Sequence, residues 1–481
     1  MPMNRLTVIN VVGLTEALIG EHTPAIAAFR RRGALARVAP AFPAVTCTAQ
    51  SNYLTGTTPG RHGIVGNGWF NRELAEVHFW KQSNHVVGGE KIWDDLRARL
   101  PGFTCAQLFW WYNMHSRADY SVTPRPLYPA DGRKVFDIHT WPFELRTAIK
   151  QDLGEFPFFG FWGPSAGVRS PLGGPDVTSR WIAEAAKWVE QKYQPTLNLV
   201  YLPHLDYNLQ RHGPFGPLPP TGRPAVNPAI IPDLQAIDAI VGELITFFEG
   251  QNCRVVLLSE YGITNVSQSV PLNRLFRKKG WLAIKDELGR ETLDAGSSKV
   301  FAVTDHQVAH IYINDRSLSG EVCKLLQGTA GVERLLGLAE QAELGIDHPR
   351  AGDLIAIAEE NTWFSYYYWV DDARAPDFAR TVDIHRKTGY DPAELFLDPK
   401  LPLPKLQIAW RLLKKRMGFR MLMDVIPLDA SQVKGSHGRT PADPLDWPVF
   451  LTNQPQLLQV DRMESTDVYH ALVRHVLREG G

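Results

Sequence analysis

An α/β fold with a mainly parallel central sheet sandwiched by helices is predicted by short apolar runs that recur along the chain and by helix-periodic segments set between them. Length agrees, because 481 residues can bury one large core with insertions, or two domains. The first strand is "LTVINVV" (6–12). It is followed by "FTCAQLFWW" (103–111), "LNLVYL" (197–202), "RVVLLS" (254–259), "QVAHIYI" (307–313), "DLIAIA" (353–358) and "WPVFL" (447–451). Several lack strict alternation, the pattern of strands covered on both faces. "DVTSRWIAEAAKWVEQKY" (176–193), capped by Asp176 or Thr178, and "IPDLQAIDAIVGELITFFEG" (231–250), closed by Gly250, read as helices. Ligands of such a sheet sit beyond the carboxyl ends of its strands, so chemistry is sought there.

Two stretches break the alternation. Residues 112–175 are rich in Pro, Gly and aromatics, and 362–435 contain "WFSYYYW" (363–369) and the basic run "WRLLKKRMGFR" (410–420). Both read as insertions that cap one end of the sheet. The expected division is a core from 1–265 and 430–481, with 266–429 supplying the remaining core strands and the cap. The Pro-rich 213–232 reads as a long ordered loop rather than a linker, because it joins two core elements.

Lys and Arg total 51 and Asp and Glu total 51, so charge gives no general pull toward a nucleic acid polymer or a membrane, and any anion binding must be local. Cys47, Cys105, Cys253 and Cys323 are far apart with no CxxC pair, which fits a reducing compartment. With no signal-like start and no long apolar span, the expectation is a soluble cytoplasmic protein.

"FPAVTCTAQSNYLTG" (42–56) sets small hydroxyl residues between an apolar approach and a Gly turn. Thr46 opens a segment, 47–55, that forms a short helix ending at Gly56. In that geometry its hydroxyl projects beyond the sheet, and the Cys47 N–H points the same way, toward a tetrahedral anion. From spacing alone an ordinary Thr helix cap is the first reading.

Taken with Thr55-Gly56, "PGRHGIVGN" (59–67), "YLPHLDYNLQRHGP" (201–214), "VVLLSEYGI" (255–263), "GSHGRTPADPLDWPVF" (435–450) and "STDVYHALVRHVL" (465–477), this segment resembles the nucleotide pyrophosphatase/phosphodiesterase branch of the alkaline phosphatase superfamily. The resemblance spans nearly the whole chain. It implies an alkaline-phosphatase-like fold and a small phosphorylated substrate, a phosphoester, phosphodiester or diphosphate. It also implies a Thr46 nucleophile, Asn67 on a phosphoryl oxygen, and two divalent metals, usually zinc, held by six Asp and His side chains.

The ligand set departs from that pattern. Asp206 and His437 stand at ligand positions, and Glu260 replaces an aspartate. Gln210 and Tyr261 stand where histidines belong, and Val12 where the first aspartate belongs. One ion is therefore expected rather than two: zinc by resemblance, or Mg, Mn or Ca, which suit the Gln210 carbonyl. His306 and His385 are candidate replacement ligands. Asp305, His204, His212, His310 and Asp391 are read first as hydrogen-bonded structural residues. Arg386 and Lys387 are candidate contacts for a substrate anion, or else part of a solvated loop.

Other hydrolase classes fail on motif. Cys47 is followed by Thr-Ala-Gln-Ser rather than the sulfatase pattern, "LLSEYG" is no nucleophile elbow, and no phosphate-binding P-loop occurs. The alternative to an enzyme is a catalytically silent member that binds an anionic or phosphorylated metabolite. A narrower resemblance, to phosphodiesterase-like members encoded beside prenyltransferases in bacterial secondary-metabolite operons, implies a small phosphoester or prenyl diphosphate. The aromatic runs at 109–120 and 363–369 are then candidates for an apolar subsite.

Overall fold

The computed structural model describes residues 3–130, 133–169, 173–217, 219, 221–419 and 421–477. Parts of the Pro-rich loop (218 and 220) and the last residue of the basic run, Arg420, lie outside the described residues.

Nine strands form the central sheet. Their spatial order is Arg462–Glu464, Ala34–Ala39, Val449–Thr452, Arg254–Leu258, Leu6–Val11, Leu197–Leu202, Cys105–Leu108, Tyr120–Pro124 and Ile138–Trp141. The five strands from Arg254–Leu258 to Tyr120–Pro124 in this order all run parallel, and Leu6–Val11, the middle strand of the nine, is in register with Leu197–Leu202 and Arg254–Leu258. Val449–Thr452 and Ile138–Trp141 pair antiparallel, so the sheet is mixed. All six residues of Leu6–Val11 and of Leu197–Leu202 are buried, as their unbroken apolar pattern requires.

Two helical groups flank the sheet. One packs Pro24–Arg32, Val177–Tyr193 and Ile231–Gly250 together, and the other packs Thr46–Thr55, Ile92–Arg99 and Asp467–Val476. Three chain reversals follow the central strands: Val12-Gly13, Pro203 before the helix His204–His212, and Ser259-Glu260. Gly13 makes the first at φ +79, a conformation that costs an L side chain about 1–2 kcal/mol, and an added Cβ would lie 2.8 Å from Leu209.

The segments 307–313 and 353–358 do form strands, but in a second sheet. Val300–Asp305, Val308–Ile313, Leu354–Ala358 and Val332–Leu336 pair antiparallel in that order. Full burial reads the same from sequence in either sheet, whereas the two-residue turn His306-Gln307 makes the first pair a hairpin. Part of 112–175 also belongs to the central sheet rather than to a cap, because Tyr120–Pro124 and Ile138–Trp141 extend its edge.

The aromatic run is core. Trp363, Phe364, Tyr366, Tyr367, Tyr368 and Trp369 are all buried, most of them under the second sheet, where each contributes about 1.5–3 kcal/mol by leaving water.

Candidate functional site

An open cavity of about 1570 Å³ lies at the carboxyl ends of the central strands. Thr46, Tyr201, Asp206, Tyr261, His306, Tyr390 and His437 face it together. Asn67, Cys47, Gln210, Glu260 and Lys387 do not line it.

Thr46 is the first residue of the helix Thr46–Thr55, which ends on Gly56 in the left-handed conformation (φ 65). The preceding residue, Val45, is extended and offers no side-chain cap, so the helix start is held from elsewhere. The Cys47 N–H donates to Asn67 Oδ1 at 3.0 Å, and the Asn67 amide and backbone N–H donate in turn to Asp305 (3.1 and 2.7 Å). Cys47 is thus not a free anion donor, and Asn67 tethers the helix start to the second sheet.

The Thr46 hydroxyl lies 3.4 Å from the Tyr261 hydroxyl, which donates to Asp206 Oδ1 at 3.2 Å. The other Asp206 oxygen accepts from Gln210 Nε2 at 2.7 Å, and Gln210 Oε1 accepts from the Tyr390 hydroxyl at 3.2 Å. An ionised carboxylate offers only acceptors, so Gln210 must present its nitrogen. Burial pushes the Asp206 carboxyl up to about 7, against the hydrogen bonds from Gln210 and Tyr261.

Glu260 lies behind this row. Asn10 Nδ2 donates to its Oε1 at 2.6 Å and Gln50 Nε2 donates to the same oxygen. Burial raises its carboxyl to about 8. Val12, at the end of the central strand, is fully buried apolar core.

Two imidazoles complete the wall. His437 Nδ1 bonds the Ala44 carbonyl at 2.7 Å and His306 Nδ1 bonds Asp305 at 2.8 Å, so each Nδ1 carries the proton. Both Nε2 atoms are buried without a hydrogen-bond partner. Burial drives both rings well below their ordinary titration range, which keeps them neutral. The rings form a column, Tyr261 on His437 (centroids 3.6 Å), His437 on His306 (3.6 Å) and His306 on Tyr390 (3.6 Å). The hairpin tip that carries His306 at φ 61 is fastened to His437 by the Gln307 N–H on the His437 carbonyl.

The remaining candidates lie elsewhere. His385 and Arg386 stand on the outer cavity wall, His385 against the Phe79 carbonyl at 3.4 Å and Arg386 paired with Asp383 at 2.7 Å. Lys387 is buried between Asp391 and Glu394, both at 2.7 Å, so its charge is already neutralised. His204 is held by Pro175 and Asp233, and His310 by Val65 and Gly352, as structural residues. Of the aromatic candidates, Trp111 reaches the cavity, while Phe109, Trp110 and the run 363–369 do not line it.

Tyr201, Tyr390 and Gln50 escaped the sequence reading. Signals for two of them existed: Gln50 lies one helical turn after Thr46, and Tyr201 pairs in register with Asn10 beside a strand end. Tyr390 sits in an irregular loop, where no periodicity marks it.

These residues do not fit a resident divalent ion. Gln210 offers nitrogen and Tyr261 a hydroxyl hydrogen to the one carboxylate on the wall, Val12 has no donor, and Glu260 is capped by two amides. Among the described residues no group of three or more His, Cys, Asp and Glu is placed to hold a metal ion.

A family model described as type I phosphodiesterase / nucleotide pyrophosphatase matches residues 6–391. No curated protein matches by sequence. Among solved structures, a phosphonoacetate hydrolase from Sinorhizobium meliloti 1021, in complex with phosphonoformate, is 14% identical and superposes with a TM-score of 0.58 over 98% of this chain and 97% of its own. An inactive murine ectonucleotide pyrophosphatase/phosphodiesterase 5, in complex with AMP, is 15% identical with a TM-score of 0.57 over 99% and 97%. The human ectonucleotide pyrophosphatase/phosphodiesterase 5 is 15% identical with a TM-score of 0.55 over 97% and 93%. At such identity these likenesses establish the alkaline-phosphatase-like fold and nothing finer.

Proposed function

This chain belongs to the type I phosphodiesterase / nucleotide pyrophosphatase family, and from that premise we propose that its cavity takes a small phosphorylated molecule and cleaves a phosphoester or diphosphate bond with Thr46 as nucleophile. The observation that carries the reading is the hydroxyl row Thr46, Tyr261, Asp206, which links the nucleophile to a base poised near neutrality.

As the Thr46 oxygen forms its bond to phosphorus, its proton passes through the Tyr261 hydroxyl to Asp206. The leaving oxygen departs with the bond electrons. Both rings are neutral in the free protein; beside a bound phosphoryl anion one Nε2 takes a proton from solvent and passes it to the leaving oxygen. Water then attacks the phosphothreonine and gives up one proton to the Nε2 emptied in the first step, while the bond between phosphorus and the Thr46 oxygen breaks and Asp206 returns its proton to that oxygen. The divalent ion implied by resemblance has no step here, because Gln210 and Tyr261 occupy both Asp206 oxygens and Asn10 and Gln50 share one Glu260 oxygen, leaving only the second Glu260 oxygen, buried off the cavity, without a partner. Asn67 acts by fixing the start of the Thr46 helix, and Arg386 at the outer wall would meet the far end of the substrate. Four free cysteines support a reducing, cytoplasmic setting.

The second reading, a silent binder, is favoured by one observation: both oxygens of Asp206, the carboxylate on the cavity wall, are hydrogen-bonded by Gln210 and Tyr261 without any ion. The two separate by a screen of phosphomonoester, phosphodiester, diphosphate and phosphonate substrates on purified protein, with elemental analysis and Thr46→Ala as control. Turnover that vanishes in the variant supports the hydrolase. Stoichiometric binding of AMP or a phosphonate with no turnover of any substrate selects the binder.

A further inference from the structure

More than half of the large apolar side chains that stand exposed among the described residues fall in two short segments, 127–143 and 403–422. Single exposed apolar residues are ordinary, whereas a concentrated patch marks an interaction surface. Both segments rim the mouth of the cavity: Phe136 comes from the first, and Leu412, Phe419 and Leu422 from the second.

The second segment contains the helix Pro404–Arg416. Leu403, Leu406, Trp410, Leu413 and Met417 recur at helical spacing, a stripe that a helix of a folded domain ordinarily turns inward. Here the stripe is turned outward, its members 46% to 70% exposed, while Ile408 packs toward Val425 and Ile426. The same segment is cationic. Residues 403–422 contain six Lys and Arg and no Asp or Glu. Arg411 is paired inward with Asp424 at 2.7 Å, and Lys414 Nζ lies 5.3 Å from the Trp410 ring centroid. The even balance of the whole chain hides this local excess.

We propose that this face docks on an anionic lipid bilayer, with the Leu403–Met417 stripe sunk at the headgroup boundary and the cavity mouth turned toward the membrane. An outward apolar stripe with Trp410 at its centre, in a segment rich in Lys and Arg and free of Asp and Glu, has the composition of an interfacial helix. Among the described residues no helix is long and apolar enough to cross a membrane, and the proposed contact is an interfacial one. A second copy of this chain is a poorer occupant, because a two-fold contact would bring two cationic stripes together.

The test is flotation of the full chain with vesicles of phosphatidylcholine alone and of phosphatidylcholine mixed with phosphatidylglycerol. The protein is expected to float with the anionic vesicles only, and less so as salt rises. Trp410→Glu combined with Leu413→Glu is expected to lower the bound fraction about tenfold or more. Leu406→Glu serves as an independent variant, and circular dichroism checks that each one folds. Three outcomes overturn the proposal: no flotation with anionic vesicles, equal flotation of wild type and folded variants, or a wild-type dimer in light scattering that the variants convert to monomer. Flotation reads binding alone, so its failure leaves the hydrolase reading untouched, and failure of that reading leaves the docking intact.

Discussion

Asp206 and Glu260 are both buried carboxyls at the ends of central strands, yet one faces the cavity and the other is sealed behind Thr46. Each has lost the partners that resemblance would give it, and each is compensated by neutral hydrogen-bond donors. Asp206 receives one of its donors from Tyr261, whose hydroxyl also approaches Thr46, whereas Glu260 is held by the amides of Asn10 and Gln50 and by the Thr46 side chain and does not line the cavity. Access, more than basicity, therefore decides which carboxyl retains chemistry. Protons and amide hydrogens have taken over charge neutralisation at both.

Four measurements test that contrast. Thr46→Ala removes the nucleophile and is expected to lower turnover about 10⁴-fold or more. Asp206→Asn is expected to cost about 10²–10⁴ in kcat/KM and to abolish the limb that rises through pH about 7. Glu260→Gln leaves that limb in place, and the contrast fails if the two variants lose activity equally. Tyr261→Phe interrupts the hydroxyl row while keeping the ring on His437, and a loss of about 10-fold to 10²-fold in kcat is expected.

The fourth effect is on stability. The Glu260 carboxyl is raised in the folded state from an ordinary 4.5 to about 8. Its stabilisation is therefore complete below pH about 4.5 and is lost as pH rises through about 8. Asp206 has the same sign and is exhausted by pH about 7. Between those two values Glu260 supplies a fall of up to about 1.4 kcal/mol per pH unit. Thermal unfolding of Glu260→Gln between pH 7 and 8 is expected to flatten that fall, while Asp206→Asn leaves it.

Much of the fold was legible because burial imposes pattern. The helix Ile231–Gly250 has the bounds its Gly and apolar spacing announce, and Leu197–Leu202 is the strand its unbroken run predicts. Which sheet a buried strand joins is not encoded in burial, so 307–313 and 353–358 read as core strands although they build the second sheet. Of the residues that line the cavity, Thr46, Asp206 and His437 were named as candidates from motif position, His306 as a candidate replacement ligand, and Tyr261 only as the residue standing where a histidine belongs. Lys387 was misleading because the carboxylates that neutralise it, Asp391 and Glu394, lie four and seven residues later in irregular chain. The stripe from Leu403 to Met417 was visible as composition, but periodicity does not say which way a helix faces.

The column of four stacked rings limits how much positive charge the cavity can gather. Both rings are neutral in the free protein, and where a bound anion draws a proton onto one of them a second on the other would stand at a centroid distance of 3.6 Å, so the pair takes up one proton at most. A monoanionic diester is then balanced in full, whereas a dianionic monoester leaves one charge to be met elsewhere. The column thereby acts as a counter of ligand charge, and a ratio of diester to monoester kcat/KM that stays above one at neutral pH is its expected signature.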